Sequence, residues 1–242
     1  MPLDKQTCTH FQNLIHQLNP DGPPTAQLIH RDRDSHSTQI GILDASFNPM
    51  TLAHQALIKT AKDTCILDEM LLMLSATNVD KNPSGADLGQ RLAMLVHYAQ
   101  QHNNLSVAIC SHARFVDKII ALKPCYPANT QFFFIVGYDT LIRLFDPKYY
   151  EDMQSDLQTL FETCHFIAAN RGENDRQTLD VFLQKEDVQP FANRIHPILL
   201  PQAVADISST KVRSNIKSNQ SIEHLVPKAI IESIRALHLY TE

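Results

Sequence analysis

Six short apolar runs, near residues 38–44, 69–75, 105–110, 131–136, 165–169 and 195–200, recur along the chain, separated by segments whose apolar residues follow a helical period. Runs this short, without polar alternation, fit strands buried on both faces. The intervening patterns, such as Leu88, Leu92, Leu95 and Ala99 or Leu179, Phe182 and Leu183, supply the helical crossovers that parallel strands require. The expectation is an α/β fold, a parallel sheet of about six strands with helices on both faces. With 242 residues and 43% apolar content, the chain can bury one good-sized core, as a single domain or a domain with a small appendage.

Residues 1–37 stand apart from that alternation and read as an N-terminal extension packed on or linked to a core domain at 38–242. Phe11, Leu14, Ile15 and Leu18 predict a short amphipathic helix, Asn19 to Pro24 breaks it, and Ala26 to Ile29 can add an edge strand. The mixed charges of His30 to Asp34 read as a solvated linker or turn.

A net charge of -5 argues against nonspecific nucleic-acid binding, which needs an extended basic footprint. Five cysteines without C-x-x-C spacing suit a reducing compartment, and no residue cluster calls for a protein-bound metal. The first residues lack the apolar core of a signal peptide, and no run approaches the length of a membrane span. A cytoplasmic protein is expected, with the nucleus as an alternative.

Two segments carry chemistry. After the first strand candidate comes Ser46-Phe47-Asn48-Pro49-Met50-Thr51-Leu52-Ala53-His54, a turn leading into a helix start. Orphan amides and the helix dipole favour a phosphate there, and a protonatable imidazole adds a donor for charge that grows during reaction. After the last strand candidate, Ile207-Ser208-Ser209-Thr210-Lys211-Val212-Arg213 starts another helix, with hydroxyls suited to capping and with Arg213 one turn beyond Thr210. With only six glycines there is neither a P-loop nor a G-x-G-x-x-G fingerprint. Phosphates must then be held by helix ends and side chains.

Together these segments resemble the paired (H/T)xGH and ISSTxxR signatures of the nucleotidylyltransferase superfamily. Within it, Leu43-Asp44-x-Ser-Phe-Asn-Pro-x-Thr-Leu-Ala-His54 is similar to the nicotinamide/nicotinate mononucleotide adenylyltransferases, and the likeness extends through Leu225-Val226-Pro227 to Leu239-Tyr240. Asn78 to Lys81, Arg91 with Met94, Gly137-Tyr138-Asp139 and Asn170-Arg171 look like further landmarks of that family. The resemblance implies a doubly wound, Rossmann-like sheet of order 3-2-1-4-5-6, with a crevice between strand candidates 1 and 4. Three departures stand out. Thr51 replaces the first His of the commoner motif, Ala53 replaces Gly, and Lys148-Tyr149-Tyr150 lies where many relatives carry a ring-stacking Trp.

The implied reaction is direct in-line transfer of the adenylyl group of ATP to a pyridine mononucleotide, without a covalent enzyme intermediate. In that scheme His54, Thr51 and Arg213 are catalytic. ATP is held by Ala45, Ser46, Phe47, His54, Gly137, Asp139, Ser208, Ser209, Thr210 and Arg213. The mononucleotide is held by Ser46, Lys81, Arg91, Tyr149, Tyr150 and Arg171. Mg²⁺ is expected to ride on the ATP phosphates. ATP and the mononucleotide are the expected partners, self-association into a homo-oligomer stays open, and neither nucleic acid nor membrane is expected. Two alternatives stay open: a sister transferase using phosphopantetheine, glycerol phosphate or CTP, and a nucleotide-binding protein without turnover.

Overall fold

The computed structural model describes residues 2–31, 37–76, 85–170 and 176–241. Seven strands, β1 (Ala26–His30), β2 (Gln39–Asp44), β3 (Glu69–Ser75), β4 (Leu105–Cys110), β5 (Gln131–Gly137), β6 (Cys164–Ala169) and β7 (Ile195–Ile198), form one sheet in the order β1-β4-β3-β2-β5-β6-β7. From β4 to β7 every pairing is parallel. With β1 set aside, this is the 3-2-1-4-5-6 order, and the switch point lies between β2 and β5. The sheet thus has one strand more than the six apolar runs predict. The extra one is the short 26–29 segment, which pairs antiparallel with β4 and slips register between Leu28 and His30.

The strand pleat sorts the core into two layers. On β5, Phe133 and Ile135 face one helical layer while Phe132 and Phe134 face the other, and Leu71 and Met73 alternate with Met70, Leu72 and Leu74 on β3. The first layer is covered by α1 (Lys5–His16), α2 (Leu52–Thr64), α3 (Leu88–Ala99) and α10 (Lys228–Ala236), and the second by α4 (Phe115–Leu122), α5 (Tyr138–Leu144), α6 (Met153–Thr163) and α7 (Arg176–Leu183). Two further helices, α8 (Gln202–Ala205) and α9 (Ser209–Lys217), follow β7. No helix among the described residues is long and apolar enough to cross a membrane.

The N-terminal segment is part of this packing. Phe11 and Ile15 of α1 are buried in the first layer against α3. Arg31 departs from the solvated reading of its charge run. Its guanidinium lies 4.8 Å from the centre of the Tyr126 ring and 4.0 Å from the Glu69 carboxylate, which also accepts the Tyr126 hydroxyl.

The close approach of α1 to α3 depends on Gly89, whose amide donates to Gln12 Oε1 at 2.9 Å. A Cβ at this position would stand 2.4 Å from the Cys8 carbonyl oxygen, a backbone atom that cannot rotate away. Gly89→Ala is therefore expected to separate the helices and to lower stability by about 1–3 kcal/mol despite the better helix propensity of Ala. Urea unfolding of the two proteins measures this; a stabilised variant would show that α1 yields freely.

Candidate active site

The chain leaves β2 at Asp44 and turns through a loop in which Phe47 has a φ of 42° and the Asn48–Pro49 peptide is cis. A left-handed Phe costs about 1–3 kcal/mol and persists only where packing over-determines it. Phe47 is 1% exposed, with its ring 5.1 Å from that of His54. The loop delivers the chain to α2, whose N-cap is Thr51 and whose third residue is His54.

Thr51 does not point into solvent. It is fully buried; its backbone amide donates to His54 Nδ1 at 3.0 Å, and its hydroxyl lies 2.8 Å from the same nitrogen. The cap turns Thr51 toward the imidazole, where its amide and hydroxyl both meet Nδ1. A nitrogen that accepts an amide hydrogen carries no proton, so the neutral ring presents Nε2–H as its donor. Burial lowers the His54 pKa to about 4. The imidazole is therefore neutral near pH 7, with its remaining hydrogen on Nε2.

The second motif is stitched to the first. Ser208 caps α9 by accepting from the Lys211 amide at 3.2 Å, which frees Ser209 Oγ to donate to the Pro49 carbonyl at 2.7 Å. Arg213 donates to the Asn48 carbonyl at 2.7 Å and to Thr210 Oγ1 at 3.4 Å. Its stem passes Gly85, whose φ of 106° and crowding by Asn48, Tyr240 and Arg213 leave no room for a side chain. The first amide of α2, on Leu52, donates to the Leu225 carbonyl, so the chain after α9 also closes on this junction.

Between these elements, at the carboxyl ends of β2 and β5, lies a cleft of about 800 Å³. Ala45, Ser46, His54, Gly137, Ser208 and Ser209 line it, and beside Gly137 the space is open. Phe47 and Thr51 stand behind its wall. Asp139, Thr210 and Arg213 lie off its lining; α5 leaves Asp139 exposed, and Arg213 is turned onto the loop. Arg91 is also turned away. At 2% exposure it donates to the carbonyls of Ala86 at 2.7 Å and Ser46 at 3.4 Å, and it borders a small pocket of about 200 Å³ that shares Asp44, Ala45 and Ser46 with the cleft. Tyr149 and Tyr150 line a neighbouring cavity of about 530 Å³, joined to the cleft through Ala113, Phe115, Thr140 and Arg143. Lys81 and Arg171 fall outside the described residues.

Sequence reasoning missed two cationic contributors to the cleft, Arg143 of α5 and Lys118 of α4. Lys118 is 1% exposed and pairs with Asp44. Its signal was present: in Phe-Val-Asp-Lys-Ile-Ile-Ala-Leu, a lysine sits one turn after Phe115 on the face that must be buried.

A family model described as cytidylyltransferase-like matches residues 42–215. A Schizosaccharomyces pombe protein named as a nicotinamide mononucleotide adenylyltransferase is 31% identical over 224 residues, spanning 83% of this chain and 86% of that one. A Moorella thermoacetica protein named as a nicotinate-nucleotide adenylyltransferase is 27% identical over 208 residues, spanning 84% and 91%. The fold is similar to that of Plasmodium falciparum nicotinic acid mononucleotide adenylyltransferase complexed with NaAD, at a TM-score of 0.59 and 18% identity, over 84% of this chain and 97% of that one.

Half-buried histidines held neutral give the stability a definite pH dependence. His54 and His165 are each held near 4 and His196 below its usual value, all chiefly by burial. The unfolded chain takes up protons at these positions below about pH 6.5 while the folded one does not until about pH 4, so stability is retained above that window and falls as pH drops through it. Urea unfolding between pH 7 and 4 should show a declining midpoint; a midpoint unchanged from pH 7 to 5 would contradict the neutral rings.

Proposed function

The chain belongs to the cytidylyltransferase-like family, and from that premise we propose that it transfers the adenylyl group of ATP to nicotinamide or nicotinate mononucleotide, yielding NAD or its deamido form and pyrophosphate. One observation carries the reading. The starts of α2 and α9 converge on a single cleft at the switch point of the sheet, with His54 and Ser209 on its lining. Helix starts gather amide donors and positive potential, which suits two anionic nucleotides brought together.

Catalysis in this reading is positioning and charge stabilisation. His54 Nε2–H donates to an oxygen of the reacting phosphoryl group and retains its proton, because Thr51 holds Nδ1 as an acceptor. Ser46, Ser208, Ser209 and the first amides of α9 hold the triphosphate, with Gly137 leaving room for the nucleoside. Arg213 fixes the spacing of the two helix starts through Asn48 and Thr210. The cleft carboxylates already have partners, Asp44 in Lys118 and Ser75 and Asp206 in Gln202. That donor set fits a Mg²⁺ ion that would be carried mainly by the phosphates, with Asp206 as the cleft carboxylate that would help hold it. When bound, the ion offsets phosphate charge.

The pyridine ring belongs in the neighbouring cavity. Tyr150 is fixed there by its hydroxyl, which donates to the Leu144 carbonyl at 2.6 Å, whereas Tyr149 is exposed and takes Lys148 over its ring. Tyr150 is therefore the stacking residue in place of the Trp of many relatives.

Pyrophosphate release with each mononucleotide and ATP or CTP tests the reaction. His54→Ala should lower turnover by roughly 10²-fold or more while ATP affinity changes far less, the scale of losing one preorganised donor; near-parental turnover in the folded variant would remove His54 from the chemistry. Tyr150→Ala should raise the mononucleotide KM about three- to tenfold with little change for ATP, as expected for a lost stacking contact of about 0.5–1.5 kcal/mol. The same shift from Tyr149→Ala, with none from Tyr150→Ala, would reverse the assignment.

A further inference from the structure

The cleft holds an ion pair that the reaction scheme above leaves without a task. Asp44 ends β2, the strand beside the switch point, and its Oδ1 accepts from Ser75 Oγ at 3.1 Å while its Oδ2 pairs with the ammonium of Lys118. Lys118 comes from the second turn of α4, with Nζ 5.4 Å from the centre of the Phe115 ring. Both members line the cleft, and Asp44 also lines the small pocket beside Arg91. The pair therefore stands at the junction of the cavities, with Phe115 forming part of the wall toward the cavity of Tyr150.

A packing role accounts poorly for this arrangement. Replacing a buried ion pair by apolar groups of similar volume is often neutral or stabilising, so α4 could be anchored as well by a leucine. An ammonium also has three donors, and among the described residues Asp44 is the only acceptor to which it is hydrogen-bonded. The charges of the site give the pair a use. His54 is neutral, Arg91 is turned onto backbone carbonyls and Arg213 is turned onto the loop. Among the described residues, Lys118 and Arg143 are the cations on the cleft lining. Two anionic phosphates must nevertheless approach each other there.

We propose that Lys118 Nζ binds the phosphate of the mononucleotide, with Asp44 as the positioning residue that fixes the ammonium beside Ala45 and Ser46. The assignment rests on the adenylyl-transfer reading for the identity of that ligand. A ring seated on Tyr150 places its phosphate on the Phe115 side of the cleft, where Lys118 stands. In the transfer step, one oxygen of this phosphate forms a bond to the α-phosphorus of ATP, the bond from that phosphorus to the bridging oxygen breaks, and pyrophosphate leaves with the electron pair. Lys118 keeps its proton and lowers the repulsion between the two phosphates.

The test compares binding of nicotinamide and nicotinate mononucleotides with that of their ribosides, which lack the phosphate, by calorimetric titration. Lys118→Met combined with Asp44→Asn removes both charges without leaving either buried alone. The double variant should lose mononucleotide affinity by about 10- to 100-fold, the range for a hydrogen bond to a charged group, and keep riboside affinity within about twofold. Lys118→Arg should retain a preference for the phosphorylated ligand. On the unaltered chain, the Lys118 ammonium nitrogen signal should shift on addition of mononucleotide and stay in place with riboside, a readout that does not depend on any variant folding. Equal mononucleotide affinities for parent and double variant, or an unmoved ammonium signal, overturn the assignment. A parent that shows the phosphate preference through Lys118 yet releases no pyrophosphate overturns adenylyl transfer and leaves Lys118 as a phosphate ligand.

Discussion

The hydrogen bonds from Ser209 to Pro49 and from Arg213 to Asn48 join segments 160 and 165 residues apart, and the geometry of the site follows from them. The 46–50 loop has too little regular structure to satisfy its own carbonyls, and its left-handed Phe47 is unfavourable in isolation. α9 supplies the donors that the loop lacks. In return the loop fixes the first turn of α9, so the two helix starts are set against one another before any ligand arrives. Such advance ordering spares the entropy that binding would otherwise have to overcome.

Around that junction, charge is distributed with economy. A protonated imidazole in the half-enclosed site between Phe47 and the helix start would be costly, and the fold keeps the ring neutral with its remaining hydrogen on Nε2. Permanent cations are placed elsewhere: Arg91 and Arg213 brace backbone, and Lys118 is held by a carboxylate from the central strand. Side chains that look equivalent by charge in the sequence therefore do different work, and what separates them is which acceptor each one reaches.

This difference marks the boundary of what the sequence discloses. The six parallel strands were legible because continuous apolar runs of Val, Ile, Leu and Phe have few other places to go, and the helix starts because Ser and Thr have a local capping chemistry. The convergence of Ser46, His54, Gly137, Ser208 and Ser209 on one cleft was legible too, from the turns in which they lie. The inward turn of Thr51, the diversion of Arg213 to a carbonyl and the pairing of Lys118 with Asp44 were not. Each depends on an acceptor brought up by the tertiary fold, at separations of 3, 165 and 74 residues, and even the local one requires knowing which residue is the N-cap. Arg31 shows the same effect in a charge run that reads as solvent-facing and closes over Tyr126.

The antiparallel β1 has a bearing on where the sheet ends. A parallel sheet ending at β4 would present a row of unpaired amides and carbonyls from an almost wholly apolar strand, Leu-Ser-Val-Ala-Ile-Cys, the kind of edge on which a second molecule can add a strand. β1 occupies that edge, and its slip in register between Leu28 and His30 interrupts the regular ladder at the new outer border. Among the described residues, none of the first thirty lines the cleft; the segment acts instead as a selvedge, a finished border that leaves the apolar β4 paired on both sides.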